Sequence, residues 1–408
     1  MASRLNILLI NHYAGTPSLG MEYRPYYLAR EWVRAGHAVT VVAANFSHVR
    51  TRQPQAGQEK VDGITYHWLP TPKYQGNGLG RVKNIWSFLR QVWQISPQLV
   101  ADCKPDVVIA SSTYPMDIWV ARRIARLARA KLVYEVHDLW PLSPIELGGM
   151  SPHHPFIMLC QAAENFAYKH SDMVISMACK ADSYMAEHGL DLRKFHHIPN
   201  GISPEDWDDQ PALTADRLSA HLQSIRNQGT TVVGYAGSHG LPNALDVLLD
   251  AATLLQDAPL AFVLVGDGHE KRRLVQRVEA EGLRNVALFD PVPKAQIPTL
   301  LNHFDIAYIG WKRVPLYRFG IAPNKLMDYM MAGRAVLHSV EAGNDPVADA
   351  DCGLTVPPES AAAVAQGLQH LASTSPEQRK QMGERGRAYV LKHHAYPALA
   401  QRFIEAIT

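Results

Sequence analysis

A lysine and an aspartate three residues apart are the strongest candidates for chemistry in this sequence. Lys325 and Asp328 lie in the stretch 318–334, which reads RFGIAPNKLMDYMMAGR. A turn at Pro323 precedes apolar residues at helical spacing, and Gly333 follows the last of them, which is normal punctuation for a helix. The pattern therefore predicts a short helix with Lys325 in its first turn.

The two residue types suit a ligand that is both anionic and hydroxylated. The first turn of a helix has free backbone N–H groups and the positive end of the dipole, so a lysine there does not favour helix stability. An anion such as a diphosphate would explain the placement of Lys325. Asp328 offers a carboxylate that could accept hydrogen bonds from a vicinal diol such as a ribose. The alternative is a buried helix in which both residues are incidental.

Two further candidates follow strand-like segments. His137 ends LVYEVH (132–137), at the edge where open α/β sheets hold their ligands, and is a candidate hydrogen-bond donor or acid/base group. TVVGYAG (231–237) leads into Ser238, His239 and Gly240 before a predicted helix, a natural place for phosphate contacts. A structural role for the histidine stays open.

The elements that would position these residues alternate between strands and helices. LNILLIN (5–11) and AVTVVA (38–43) flank a helix entered through a loop with glycines but without the GxGxxG fingerprint. The same rhythm restarts at 231. We predict an α/β protein with two Rossmann-like domains, 1–203 and 204–385, and a helical segment 386–408 that packs back on the first domain.

The stretch 79–100 predicts a helix with an apolar stripe beside Arg81, Lys83 and Arg90. Such a helix suits a membrane surface, and it equally suits packing on the sheet. Residues 1–200 hold 21 basic and 15 acidic side chains, whereas the remainder holds 19 and 23. A basic first half fits an anionic partner such as a membrane surface or a lipid diphosphate.

Composition excludes several classes of protein. No run approaches the length of a membrane span, and no secretory signal precedes the first strand. Four scattered cysteines without a CxxC motif predict a reduced, cytoplasmic protein. The triplet Asp349-Ala-Asp351 lacks the setting of a metal-binding DxD motif, the histidines form no zinc pattern, and no patch indicates nucleic-acid binding.

Taken together, the motifs resemble those of family-4 retaining glycosyltransferases of the GT-B fold. They occur in the family's order and span nearly the whole chain: GHAVTVVAA, VHDLWP, IPNGIS, GYAGSHGLPNALDVLLDAA, VLVGDG, PVPKAQIPTLL and PNKLMDYMMAGRAVL. NHYAGTPSLGMEYRPYYLAREW and VHDLWP are most similar to bacterial enzymes of O-antigen and capsule synthesis, including the N-acetylfucosamine transferase type. The resemblance implies two doubly wound domains facing across a cleft, with the acceptor in the first and the sugar donor in the second.

The resemblance also implies site residues in the second domain. Asp328 matches the second Glu of the family's paired-glutamate motif, which binds the donor ribose, whereas Gly320 stands where the first Glu would be. Arg318 is our hypothetical substitute. Asn243 stands near the family's phosphate-binding Lys, so Lys325 is expected to take over that role.

Loop residues complete the implied donor site. The backbone N–H groups at Asn324 would assist at the phosphates, and His137 matches a histidine near the donor sugar and phosphate. Gly20 and Met21 match the glycine loop that faces the diphosphate, and Val292 matches the loop that holds the nucleobase.

These matches imply an enzyme that transfers a hexosyl or N-acetylhexosaminyl group from a UDP-sugar with retention, without metal or cofactor. Lys325, the helix N-terminus and the 238–239 loop would stabilise the charge on the departing diphosphate. The acceptor would be an undecaprenyl-diphosphate-linked or other glycan in O-antigen or capsule synthesis, at the inner face of the membrane. No nucleic acid is expected as a partner.

Two alternatives remain open from the sequence. The first is a nucleotide-sugar epimerase with two Rossmann-like domains, which calls for acidic catalytic residues that we cannot place. The second is a non-catalytic nucleotide-sugar binding partner, which the absence of the first Glu permits.

Overall fold

The computed structural model describes residues 4–20, 23–76 and 78–408. The chain divides into two compact units. The first contains Met1–Asn200, Phe319–Ile321 and Tyr396–Thr408, and the second contains Gly201–Arg318 and Ala322–Ala395. The first division thus falls three residues before the predicted position at 203.

The described part of the first unit is built on an eight-stranded sheet. Its strands are β1 (Asn6–Ile10), β2 (Ala38–Ala44), β3 (Gly57–Val61), β4 (Ile64–Leu69), β5 (Val107–Ala110), β6 (Lys131–Val136), β7 (Met173–Ser176) and β8 (Phe195–His197). The strand order is β3-β4-β2-β1-β5-β6-β7-β8, parallel except for the β3–β4 pair. The central strands are buried apolar runs, as expected for a parallel sheet covered on both faces.

Helices cover this sheet. They are α1 (Tyr23–Arg34), α2 (Leu79–Cys103), α3 (Asp117–Ala128), α4 (Leu142–Glu146), α5 (Pro155–His170) and α6 (Asp182–Glu187). The helix predicted at 79–100 is therefore real and extends slightly further.

The β3–β4 hairpin is absent from the sequence-based prediction. Its strands are joined by Asp62 and Gly63, both at positive φ (48° and 83°). Asp-Gly between two strand-like runs is a strong hairpin signal, and β4 alternates buried and half-buried residues as an edge-region strand should.

The second unit contains, in its described residues, a six-stranded parallel sheet. Its strands are β9 (Thr231–Ala236), β10 (Leu260–Val265), β11 (Val286–Phe289), β12 (Ile306–Gly310), β13 (Ala335–Ser339) and β14 (Gly353–Val356). The order is β11-β10-β9-β12-β13-β14. This is the order of a doubly wound dinucleotide-type fold, in which the chain turns back between β9 and β12.

The helices of the second unit flank its sheet. They are α7 (Asp216–Asn227), α8 (Leu245–Leu254), α9 (Lys271–Glu281), α10 (Ile297–Leu301), α11 (Asn324–Met331), α12 (Pro346–Asp349), α13 (Ala361–Ser373) and α14 (Pro376–His393). Helix α14 packs tightly on the end of α11, because a Cβ at Gly383 would lie 1.8 Å from the carbonyl oxygen of Gly333.

The last helix, α15 (Tyr396–Ile407), belongs to the first unit. The indole of Trp32 in α1 donates to the carbonyl of Ala400 at 3.2 Å, and the rings of Trp32 and Phe403 lie 4.9 Å apart. The segment predicted to pack back on the first domain, 386–408, is longer than the segment that does so, Tyr396–Thr408. The reason is that α14 continues unbroken through residue 386, and the whole helix, up to His393, belongs to the second unit.

Candidate functional site

Several of the predicted ligand-binding residues of the second unit lie where the chain reverses its strand order. Strand β9 lies between β10 and β12, so the connections from β9 and β12 leave toward opposite sides of the sheet. A crevice at the carboxyl ends of such strands is the usual ligand position in open α/β sheets. The loop 237–240 follows β9, and α11 follows β12.

Lys325 reaches from the first turn of α11 to the end of β9. Its ammonium Nζ donates to the hydroxyl of Tyr235 at 2.8 Å and to the amide oxygen of Asn243 at 2.7 Å. Nζ also lies 4.4 Å from the centre of the Tyr235 ring, within range of a cation–π contact. A Cβ at Gly237 would lie 2.7 Å from Cε of Lys325, so the side chain passes over a backbone that only glycine leaves open.

The charge on Lys325 is not balanced by the protein. Among the described residues, both hydrogen-bond partners of Nζ are neutral, and no carboxylate forms an ion pair with it. Burial lowers the pKa of Lys325 to about 7. Lys325 is half-buried, and a cation withdrawn from water without a counter-charge is costly, so an anionic ligand would restore its charged form.

Asp328 offers a carboxylate on the same helix. This carboxylate makes no hydrogen bond to any described side chain or backbone group. Burial raises its pKa to about 7, while Lys294 opposes the rise and Asp206 adds to it. The group is therefore poised to accept hydrogen bonds from ligand hydroxyls when ionised.

The loop of His239 is packed directly on the loop after β10. The backbone N–H of His239 donates to the carbonyl of Asp267 at 2.8 Å, and Cβ atoms at Gly266 and Gly268 would lie 1.8 and 2.4 Å from the oxygens of Gly237 and His239. The His239 ring is fully buried, and neither of its nitrogens has a hydrogen-bond partner among the described residues. Burial, with Lys271 nearby, lowers its pKa to about 4, so the imidazole is neutral.

Helix α11 is fixed in its carboxyl-terminal half. The hydroxyl of Tyr329 accepts from the N–H of Ala236 at 2.9 Å and donates to its carbonyl at 3.2 Å, which fastens the helix to the end of β9. The N–H of Gly333 donates to Met330 and that of Arg334 to Tyr329, a paired closure that requires the left-handed conformation of Gly333 (φ 65°).

The remaining predicted residues of the second unit have varied surroundings. Asn324 is exposed at the start of α11, beside the N-terminal N–H groups. Ser238 is exposed, and its carbonyl accepts from Tyr235 at 2.6 Å and from Asn243 at 2.9 Å. Gly240 is buried, and Val292 is half-buried against the core after β11.

Arg318 is exposed at the end of a 3-10 turn, Pro315–Phe319, and it is the last residue of the second unit before the chain enters the first. Gly320 follows with φ 106°. An L side chain rarely adopts that conformation, so the backbone here is not one that would present a glutamate.

His137 lies in the first unit, directly after β6. Its Nε2 is 2.9 Å from Oγ of Ser111 and 3.4 Å from Oε2 of Glu135. Glu135 is fully buried, and its Oε1 accepts from Nε of Arg24 at 3.0 Å. Burial alone would raise the pKa of Glu135, yet Arg24 together with His137 and Ser111 holds it at about 2.

The predicted glycine loop of the first unit is described as far as Gly20. Its φ is 77°, and a Cβ there would meet Oγ1 of Thr51 at 2.7 Å, so the position favours glycine. Met21 lies outside the described residues.

Sequence reasoning missed four polar residues of these two clusters: Tyr235, Ser111, Glu135 and Arg24. Tyr235 reads as an ordinary strand residue, although it precedes the glycine loop. Glu135 carried a signal, since a glutamate inside the apolar strand LVYEVH demands a buried partner. Arg24, more than a hundred residues away, could not be paired with it from sequence.

Comparison with known proteins gives these clusters a context. Residues 20–201 match a glycosyl transferase 4-like domain, and residues 230–374 match glycosyl transferases group 1. The two domain models together cover most of the chain. The chain belongs to the GT-B glycosyltransferases. This confirms the predicted fold and the resemblance to family 4.

Individual relatives of this glycosyltransferase are distant. It is 26% identical over 331 residues to the putative colanic acid biosynthesis glycosyl transferase WcaI of Escherichia coli K12, covering 76% of this chain and 78% of that protein. Sucrose-phosphate synthase from Thermosynechococcus elongatus aligns with a TM-score of 0.73 at 17% identity, covering 98% of each chain. HepE of Anabaena, solved with UDP-glucose, gives a TM-score of 0.65 at 16% identity, covering 98% of this chain and 99% of that one.

The described residues of the glycosyltransferase offer neither a cluster of metal ligands nor a membrane-spanning helix. Within the described ranges, no group of three or more His, Cys, Asp or Glu side chains is placed to hold a metal ion. Asp351 of the DxD triplet forms an ion pair with Arg385 at 3.1 Å. None of the described helices has the length and apolar character needed to cross a bilayer.

We expect Tyr329→Phe to lower the free energy of unfolding by about 1–3 kcal/mol, because it leaves the buried N–H of Ala236 without its partner. Chemical denaturation would measure the loss. Tyr308→Phe is the matched control, since the hydroxyl of that buried tyrosine has no hydrogen-bond partner among the described residues. Equal losses in the two variants would show that the Tyr329 hydroxyl does not fasten α11.

Proposed function

We propose that the protein is a retaining, metal-independent glycosyltransferase that moves a hexosyl or N-acetylhexosaminyl group from a UDP-sugar to a lipid-linked or glycan acceptor in bacterial surface polysaccharide synthesis. The observation that carries the proposal is the uncompensated ammonium of Lys325 at the start of α11. The UDP-glucose complex of HepE and the colanic acid assignment of WcaI support the choice of donor and pathway class.

Lys325 would stabilise the leaving group. Cleavage of the sugar–phosphate bond places negative charge on the departing UDP, and fixed donors aimed at that charge lower the barrier. A diphosphate near Nζ raises the pKa of the lysine, typically by about one to three units for an opposite charge at 4–6 Å, so the bound lysine stays protonated at neutral pH. The free N–H groups at Asn324 add partial positive charge at the same helix end.

Asp328 and His137 would bind the sugar nucleotide's hydroxyl groups. The Asp328 carboxylate would accept from the ribose, and the role that we propose for His137 is to act on the reacting sugar. The acceptor hydroxyl attacks the anomeric carbon on the face from which UDP departs. Its proton passes to the departing phosphate oxygen, so that one bond forms where the other breaks and the configuration is retained.

Transfer of radiolabelled sugar from candidate UDP-sugars to bacterial membrane lipid extract tests the reaction. We expect lipid-linked product from the wild-type protein, with its anomeric configuration unchanged by NMR. His137→Ala should reduce turnover far more than it reduces affinity for UDP. Binding of UDP without transfer to any lipid or glycan acceptor would favour a non-catalytic partner, and conversion of the donor without acceptor would indicate an epimerase.

The affinity for UDP should be greatest near neutral pH. Lys325 must be protonated to bind the diphosphate, so affinity falls as pH rises through its pKa, whereas Asp328 must be ionised, so affinity falls as pH drops through its own. Calorimetric titration should show that Lys325→Ala loses about 1.5–3 kcal/mol of binding free energy at pH 7, as for a charge-assisted hydrogen bond. The exposed Lys380→Ala is the control.

The variants separate the two limbs of this pH profile. Lys325→Ala should flatten the alkaline limb and Asp328→Asn the acidic one, with the titration of UDP itself common to all proteins. Wild-type affinity in Lys325→Ala would remove that lysine from the site.

We also propose that the first unit binds an anionic membrane surface through one face of α2. Four apolar side chains on that face are exposed, by fractions of 79%, 42%, 63% and 47% for Leu79, Val82, Trp86 and Trp93. Lys83 and Arg90 flank them, and the first 200 residues carry excess positive charge. Exposed tryptophan beside basic residues is the composition of interfacial helices.

Co-sedimentation with vesicles containing anionic phospholipid tests this contact. Leu79→Ser/Trp86→Ser should weaken vesicle binding at least several-fold without loss of stability, because both side chains are exposed. Leu254→Ser removes another exposed leucine (61%), from the second unit, and this variant should bind vesicles as the wild type does. Unchanged binding of the double variant would exclude this face.

A further inference from the structure

A buried hydrogen-bond chain of the first unit ends on His137. Ser111 follows β5, and its fully buried Oγ lies 2.6 Å from Oε2 of Glu135 and 2.9 Å from Nε2 of His137. Behind Glu135 stands Arg24, which also donates to the carbonyl of Ile198 at 2.9 Å and to that of Pro199. This series of hydrogen bonds therefore runs from the permanent cation of Arg24 to the imidazole of His137.

The number of available protons fixes the direction of each hydrogen bond. Glu135 is ionised, because its pKa of about 2 lies far below neutrality, and an ionised carboxylate only accepts. The single hydroxyl proton of Ser111 is therefore committed to Glu135. Oγ can then only accept from His137, as it does from Nδ2 of Asn11 at 3.3 Å. Nε2 of His137 must carry the donated proton.

We propose that Ser111 and Glu135 are positioning residues for His137, holding its ring so that Nε2 keeps its proton and Nδ1 is the nitrogen that gains or loses one. This inference rests on the proposed role of His137 at the reacting sugar. The assignment of the proton is testable without any reaction.

Several charged groups among the described residues interact with His137. Glu135, 3.4 Å away, favours the imidazolium, and Arg24 behind it opposes this effect. Asp117 at the start of α3 and the neighbouring Asp138 also interact with the ring electrostatically. Burial raises the pKa of Asp117 to about 7, so an activity profile alone would include the titration of Asp117 as well as that of His137.

Nitrogen NMR of protein labelled at the histidine ring nitrogens reads His137 directly. Its signals are those missing from His137→Asn. We expect the wild-type neutral ring to show protonated Nε2 and unprotonated Nδ1. Glu135→Gln should lower the pKa of His137 by roughly one to three units, the usual effect of removing an adjacent opposite charge. Ser111→Ala should give a mixture of tautomers, and Ser111→Thr, which keeps the hydroxyl, should not.

A second buried glutamate provides the control. Glu164 is fully buried and bonded to Tyr168 at 2.8 Å and Tyr184 at 3.0 Å, so Glu164→Gln should leave the signals of His137 unchanged. If Glu135→Gln fails to fold with Arg24 unpaired, Ser111→Ala decides, since it removes no charge. Protonated Nδ1 in the wild type, or an unchanged tautomer in folded Ser111→Ala, would overturn the proposal. If the wild-type protein shows the proposed tautomer but transfers no sugar, the result counts against the reaction assigned to His137 and not against the positioning of its ring.

Discussion

The second unit is organised around an ammonium group that the protein does not neutralise. Lys325 is held by a phenol and an amide, both neutral, over a glycine that leaves room for its side chain. Because Lys325 is half-buried, its charge is partly withdrawn from water, which costs free energy unless a counter-charge is supplied. The protein accepts this cost on a helix that Tyr329 and the closure at Gly333 fasten to the sheet. The rigidity matters because a mobile lysine would turn to solvent and lose its preference for an anion.

The two units treat charge in opposite ways near the carboxyl ends of their strands. In the first unit, Arg24 and Glu135 neutralise each other, and the remaining polarity passes through a hydroxyl to an imidazole. In the second, cation and carboxylate lie one turn apart on α11, and no hydrogen bond joins them. Internal pairing orients a neighbouring group, whereas separation leaves both charges for a ligand.

Sequence patterns predicted the fold and the residues of one cluster, the one on α11. Buried apolar runs predicted the parallel strands, and the turn and glycine around PNKLMDYMMAG predicted α11 with Lys325 and Asp328 on it. The β3–β4 hairpin was missed although Asp62-Gly63 signalled it. The hydrogen-bond partners around Lys325 and His137 could not be predicted from the sequence. Hydrogen bonds such as that from Arg24 to Glu135 join residues 111 positions apart, and they depend on the order of the strands in the sheet. The functional roles assigned to all of the predicted site residues stay predictions, including those of Lys325, Asp328 and His137.

The path of the backbone has a consequence for how this protein can be divided. The chain passes between the units at 200–201, 318–319, 321–322 and 395–396. A fragment ending at Asn200 would lack α15 and so leave Trp32 and its neighbours on α1 facing water. It would also lack Phe319, whose carbonyl accepts from the N–H of Lys180 at 2.9 Å and whose ring lies 5.6 Å from that of Tyr184. A gene cut once between the two sequence domains would therefore yield halves with exposed apolar surface, so exchange of donor specificity between relatives must graft an internal segment and keep both chain ends together.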